Sequence, residues 1–128
     1  MRLKKRSINK VDEKLMIVRS GDVFWISPNQ ANITSDHTHP YVVVQSDSSN
    51  TVIVCALTSN LKRAKEPGNV LLDEGEANML KQSVVVVSQV SIVDKTQLGE
   101  HIGTLAEQRV NQVLAGMRFL QAMTQHHE

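Results

Sequence analysis

At 128 residues the chain is long enough to bury one hydrophobic core and too short for two ordinary domains. Its 41% hydrophobic and 21% charged content is that of a soluble globular protein, and no apolar run approaches the ~20 residues that a bilayer span needs, which excludes a membrane protein. The formal charge of +1 hides an asymmetry: residues 1–20 carry Arg2, Lys4, Lys5, Arg6, Lys10, Lys14 and Arg19 against Asp12 and Glu13, a net +5, so the remainder sums to −4.

The expected organisation is a basic N-terminal arm over residues 1–18 and one folded domain over 19–123. Such an arm suits contact with nucleic-acid phosphates, although a charge run of this kind is also what a solvated leader looks like. No apolar stretch follows Arg6, so a secretion signal is not expected and the location implied is cytoplasmic. Residues 22–27 mix bulky and β-branched side chains and are stopped by Pro28, which cannot donate to a strand ladder; this is the first strand. Trp25, the lone tryptophan, is expected to pack in the core rather than to stack on a base. The stretch from Asn29 to His39 is polar and long for a hairpin connection, which marks it as a candidate binding loop.

Residues 41–46 and 51–58 form two apolar strands joined by Ser46-Asp47-Ser48-Ser49-Asn50, a cluster of turn formers, and they are expected to pair as a hairpin. Cys55, the only cysteine, lies inside this apolar run and is expected to be an inert buried thiol. Lys62, Arg63 and Lys65 precede Pro67-Gly68 in an exposed basic loop that leads to a short strand at Val70–Leu72. A helical turn is expected at residues 76–81. The β-branched run from Ser83 to Val93 predicts the longest strand, expected to be central in its sheet. Residues 97–105 continue irregularly, with His101 on a surface turn. Thr104 and Glu107 have capping-box spacing ahead of a helix whose buried face is Val110, Val113, Leu114, Met117 and Leu120, running to about residue 123. Met79 and Met117 read as core filler, and His126-His127 as a polar terminus.

Polar residues at strand ends carry the functional signal, because side chains there can reach a ligand while the apolar middles bury a sheet. His39 precedes one strand and Thr58-Ser59 ends the next. Gly21-Asp22-Val23-Phe24-Trp25, Pro40-Tyr41-Val42-Val43-Val44, Ala56-Leu57-Thr58-Ser59 and Ser88-Gln89-Val90-Ser91-Ile92-Val93-Asp94-Lys95, in that order, resemble the PemK/MazF family of toxin endoribonucleases over residues 19–122. The resemblance implies a mainly β fold, a small and strongly curved SH3-like, CcdB-like β-barrel with a C-terminal α-helix packed on the sheet. It also implies a homodimer, metal-independent cleavage of single-stranded RNA, no cofactor, and neutralisation by a cognate antitoxin protein.

One position departs from the family pattern. An arginine that takes part in proton transfer usually precedes the second-strand proline, and His39 stands there after Asp36-His37-Thr38. The Thr58-Ser59 pair matches the second catalytic position. Metal-free RNA cleavage needs a base for the 2′-hydroxyl, an acid for the leaving 5′-oxygen, and donors for the charge building on phosphate. Imidazole, with an ordinary pKa of ~6.5, serves the first two roles, whereas guanidinium is the better phosphate clamp. The expected catalytic residues are therefore His39, Thr58 and Ser59. His37, Lys62, Arg63 and Lys65 are expected to contact RNA, with Lys62, Arg63 or Lys65 supplying the missing positive charge. Asp36, His37 and His39 form no complete metal-ligand set, so no metal is expected. The competing readings are a catalytically weak or inactive module that binds RNA or a partner protein, and an inhibitor of DNA gyrase, since CcdB shares the barrel.

Overall fold

A computed structural model describes residues 17–27, 39–46 and 49–125. Asp36, His37, His126, His127 and residues 1–16 of the expected basic arm lie outside the described residues. Six strands, β1 (Asp22–Ile26), β2 (His39–Ser46), β3 (Thr51–Thr58), β4 (Val70–Leu72), β5 (Ser83–Asp94) and β6 (His101–Thr104), precede a single described α-helix, α1 (Glu107–Gln125). Short 3-10 turns at Leu61–Lys65, Glu76–Asn78 and Lys95–Gln97 connect them. The strands form one sheet in the order β4-β5-β3-β2-β1-β6, with antiparallel neighbours.

The sheet is buried on both faces. Along β2, Val42 and Val44 join Val23, Cys55, Leu57, Leu72, Val85 and α1 residues Val110 and Val113 in one core. Tyr41 and Val43 point the other way, to Val18, Ile26, Val52, Val54, Ala56, Val93 and Leu98. Successive side chains of a strand alternate between faces, so strands with two cores read as continuous apolar runs instead of alternating ones. Val18 packs here too, one residue ahead of the expected start of the domain. Register shifts between Val23 and Phe24, between Val43 and Gln45, and between Cys55 and Ala56 interrupt three ladders. Such bulges bend strands and increase twist, which curls the sheet into a half-barrel.

Four sequence expectations are corrected. β5 is the longest strand but not a central one; β3 and β2 occupy the middle, and the valine run records burial of residues 83–87 beneath both layers rather than position in the sheet. Residues 101–104, expected to be irregular, are the edge strand β6 paired with β1, so His101 stands on a strand instead of a turn. Thr104 caps no helix: pairing places it opposite Asp22, whose carboxylate accepts its hydroxyl at 2.7 Å, and α1 begins beyond Leu105-Ala106. Trp25 is 40% exposed, because Ile26 takes the buried position at the end of β1.

α1 lies on the sheet through its predicted face, with Val110 and Val113 buried and Leu114, Met117 and Leu120 packed at the margin. Two contacts fix its seat. Gly68, at φ +81°, brings its carbonyl so near Gly116 that a Cβ built on Gly116 would stand 2.0 Å from that oxygen. Nearer the N-terminus of α1, Arg109 donates two hydrogen bonds to the Glu76 carboxylate, at 2.9 and 2.7 Å, tying the helix to the turn before β5.

Candidate functional site

Local sequence determines which side chains reach one face of the β2 and β3 ends. Tyr41 pairs with Ala56, Val42 with Cys55 and Val43 with Val54; the same register continued by two residues sets His39 across from Thr58. Side chains directly opposite on antiparallel strands have Cβ atoms about 5 Å apart. His39, Tyr41, Ala56 and Thr58 accordingly share the wall of a cleft of about 370 Å³. Leu57 of β3, Arg63 from the 3-10 turn after it, and Ser88, Gln89, Val90 and Ser91 of β5 complete the lining.

Each wall has a local cause. Cys55 pairs with Val90 but Ala56 with Val86, so Val87, Ser88 and Gln89 are extra residues on β5 with no opposite number. A bulge of this kind re-aims side chains, and here it turns Ser88 and Gln89 toward the cleft. The 3-10 turn is capped by the Asn60 side chain, which accepts the Lys62 N–H at 3.2 Å, while the Asn60 N–H donates to Thr58 Oγ1 at 3.2 Å. That bond occupies a lone pair of the hydroxyl and leaves its proton to donate into the cleft. Arg63 gives its Nε and Nη2 edge to Glu66, with N–O distances of 3.0 to 3.2 Å, so its Nη1 edge remains for a ligand. The Glu66 carboxyl is held below its ordinary range, first by the Arg63 hydrogen bonds. Burial pushes the Tyr41 phenol up, further from ionisation than an ordinary phenol, which is already protonated at neutral pH.

Of the residues expected from sequence, His39, Thr58 and Arg63 come together. Ser59 is exposed just past the end of β3 and does not line the cleft, nor do Lys62 and Lys65, which flank Arg63 on an exposed turn. Sequence reasoning missed Tyr41, Ser88, Gln89 and Ser91 as lining residues. The available signal was a polar Ser-Gln pair breaking an otherwise apolar run. Cys55 is fully buried against α1, its Sγ 3.9 Å from Met117 Sδ, and burial lifts its thiol to about 11; a thiolate is excluded.

A larger cleft of about 660 Å³ opens at the β1–β6 edge, lined by residues that include Val18, Asp22, Phe24, Leu98 and His101. Its central carboxylate is committed to the fold: Asp22 accepts from the Arg19 N–H at 2.9 Å and the Thr104 hydroxyl at 2.7 Å, and faces His101 Nε2 at 3.3 Å. The His101 ring in turn meets Phe24 edge-on at 5.1 Å. The chemistry-bearing residues of the sequence therefore converge on the smaller cleft. No described helix is long and apolar enough to cross a membrane.

Residues 19–120 match the family described as PemK-like, MazF-like toxin of type II toxin-antitoxin system. Endoribonuclease MazF of Staphylococcus saprophyticus is 31% identical over 103 residues, covering 76% of this chain and 85% of that protein. Among solved structures, a mycobacterial endoribonuclease in complex with its cognate antitoxin superposes with a TM-score of 0.63 at 16% identity, covering 79% of this chain and 91% of that one. Another mycobacterial endoribonuclease gives 0.62 at 16% identity, covering 80% and 89%. These structures share the fold.

Proposed function

This chain belongs to the PemK-like, MazF-like toxin family, and from that premise we propose that it is the toxin of a type II toxin–antitoxin pair, an endoribonuclease that cuts single-stranded messenger RNA in a sequence-selective manner in the cytoplasm. The observation that carries the reading is the convergence of His39, Thr58 and Arg63 on one cleft. The ribose 2′-oxygen attacks the adjacent phosphorus while the bond to the 5′-oxygen breaks, leaving a 2′,3′-cyclic phosphate and a 5′-hydroxyl. His39 takes the 2′-hydroxyl proton or supplies one to the leaving oxygen, standing in for the family's arginine. Thr58 and the Tyr41 phenol donate to the phosphate oxygens, and Arg63 supplies the positive charge that His39 lacks. No metal or other cofactor takes part. Ser59, Lys62 and Lys65 hold RNA outside the cleft, His37 is a further RNA contact, a cognate antitoxin silences the site, and the working form is a homodimer.

The test is cleavage of a long single-stranded RNA in the presence of chelator, with the new ends mapped. Cyclic-phosphate ends from the wild type, and losses on the order of 10²-fold or more in both His39→Ala and Thr58→Ala, are expected. An intact RNA at high enzyme excess refutes the reading. Retained RNA binding without cleavage, unchanged in His39→Ala, would favour a binding module, the reading that the absent arginine supports.

A further inference from the structure

Asn69 lies between Gly68 and β4, outside the lining of the cleft, and has no part in the proposed chemistry. Yet its side chain joins both walls. Its Oδ1 accepts the Val87 N–H at 3.0 Å, and its Nδ2 donates to the Arg63 carbonyl at 2.9 Å and to Glu66 Oε1 at 3.2 Å. Val87 opens the three-residue bulge of β5, where backbone groups lose their ladder partners. It is a buried residue, so its N–H needs an acceptor, and Asn69 provides one. At the other end Asn69 grips the carboxylate that clamps Arg63 and the backbone that carries Arg63. One amide therefore sets the spacing between the cation-bearing turn and the Ser88–Gln89 wall.

We infer that Asn69 is a positioning residue, which acts on RNA only by holding Arg63, through Glu66 and the 3-10 turn, at a fixed distance from the β5 bulge. The inference rests on the ribonuclease reading above for its effect on cleavage, while the geometry it asserts stands apart from that reading. Asn69→Asp separates the two functions of the amide: the retained Oδ1 still accepts from Val87, whereas both donor contacts are lost and a second carboxylate faces Glu66. Glu66→Gln leaves Asn69 in place and removes the charge that clamps Arg63.

The experiment is a double-mutant cycle on RNA cleavage together with the side-chain Nε–H resonance of Arg63 in the full chain. Asn69→Asp is expected to lower kcat/KM about tenfold with Arg63 present and less than about twofold in an Arg63→Ala background, because residues acting through one another are not additive. Equal losses in both backgrounds would overturn the inference. The Arg63 Nε–H signal is expected to be resolved in the wild type and to collapse into the solvent-exposed arginine envelope in both Asn69→Asp and Glu66→Gln. An unchanged signal in Asn69→Asp would overturn the inference whether or not RNA is cut. If the wild type leaves RNA intact while this resonance responds as described, the ribonuclease reading fails and the positioning role stands.

Discussion

Gly116→Ala places a methyl group where α1 has no room for one. The new Cβ would lie 2.0 Å from the Gly68 carbonyl oxygen and 3.0 Å from its carbonyl carbon, against a carbon–oxygen contact of roughly 3.3 Å, so the two backbones must part by about 1.3 Å. Neither partner yields easily. Gly68 is held in a left-handed conformation, and a Cβ built on it would itself meet Val87 at 3.0 Å, a sign of how closely the loop packs on β5. Lifting α1 instead loosens Val110 and Val113 from the core. Overpacking of this kind costs ~3 kcal/mol, the upper part of its usual range, since only backbone can move. Alanine recovers about 1 kcal/mol through helix propensity, for a net loss of about 2 kcal/mol. In a domain of this size that lowers Tm by roughly 8 °C. Urea denaturation followed by circular dichroism measures it directly, with an unchanged m-value showing that the unfolded state is not the cause. The sign is decisive: at a glycine without tertiary contact alanine stabilises, so a midpoint equal to or above wild type would refute the close approach of α1 to the loop that carries Asn69.

The Glu76–Arg109 tie makes a pH-dependent prediction. Arg109 hydrogen bonds hold the Glu76 carboxyl below its ordinary value of 4.5, so its contribution is present above that pH and lost as pH falls through the lower folded value. Glu76→Gln is expected to cost on the order of 1 kcal/mol at pH 7, and the difference from wild type should close in acid; a gap that persists at pH 2 would contradict the assignment. Cys55, fully buried with its thiol raised to about 11, should resist a thiol reagent at pH 8 in the native protein and react stoichiometrically after denaturation. Trp25, 40% exposed, should be readily quenched by acrylamide, and Trp25→Phe should change stability by less than about 1 kcal/mol; protection of the indole from quencher would restore the core role expected from sequence.

Much of the candidate site was legible because its members sit at strand ends. A polar residue abutting an apolar run marks a place where the chain leaves the core, and His39 and Thr58 both satisfy that pattern, as the basic turn with Arg63 does for charge. Tyr41 was hidden by its own neighbours: in Tyr41-Val42-Val43-Val44 it reads as one more apolar strand residue, and only its position beside His39 on the sheet places it in the lining of the cleft. Ser88 and Gln89 were visible as a polar interruption, but their direction depends on a bulge that exists only because β5 has more residues than β3 across that stretch.

The sequence by itself determined the elements whose cause is local: β-branched runs that bury on two faces, turn formers between them, and the three-and-four spacing that made Val110, Val113 and Met117 one side of a helix. What tertiary structure alone decided involves partners distant along the chain. Thr104 has the spacing of a cap, yet its hydroxyl goes to Asp22, 82 residues away, because strand pairing brings that carboxylate closer than any helix N-terminus. His101-Ile102-Gly103-Thr104 is too short and polar to announce a strand, and becomes one by completing the edge of β1. Asn69 reads as a loop residue after Pro67-Gly68, and its place between Val87 and Arg63 follows from the fold of β5 back along β4. Burial is encoded residue by residue, whereas register and hydrogen-bond partnership belong to pairs, and a pair exists only once the chain has closed on itself.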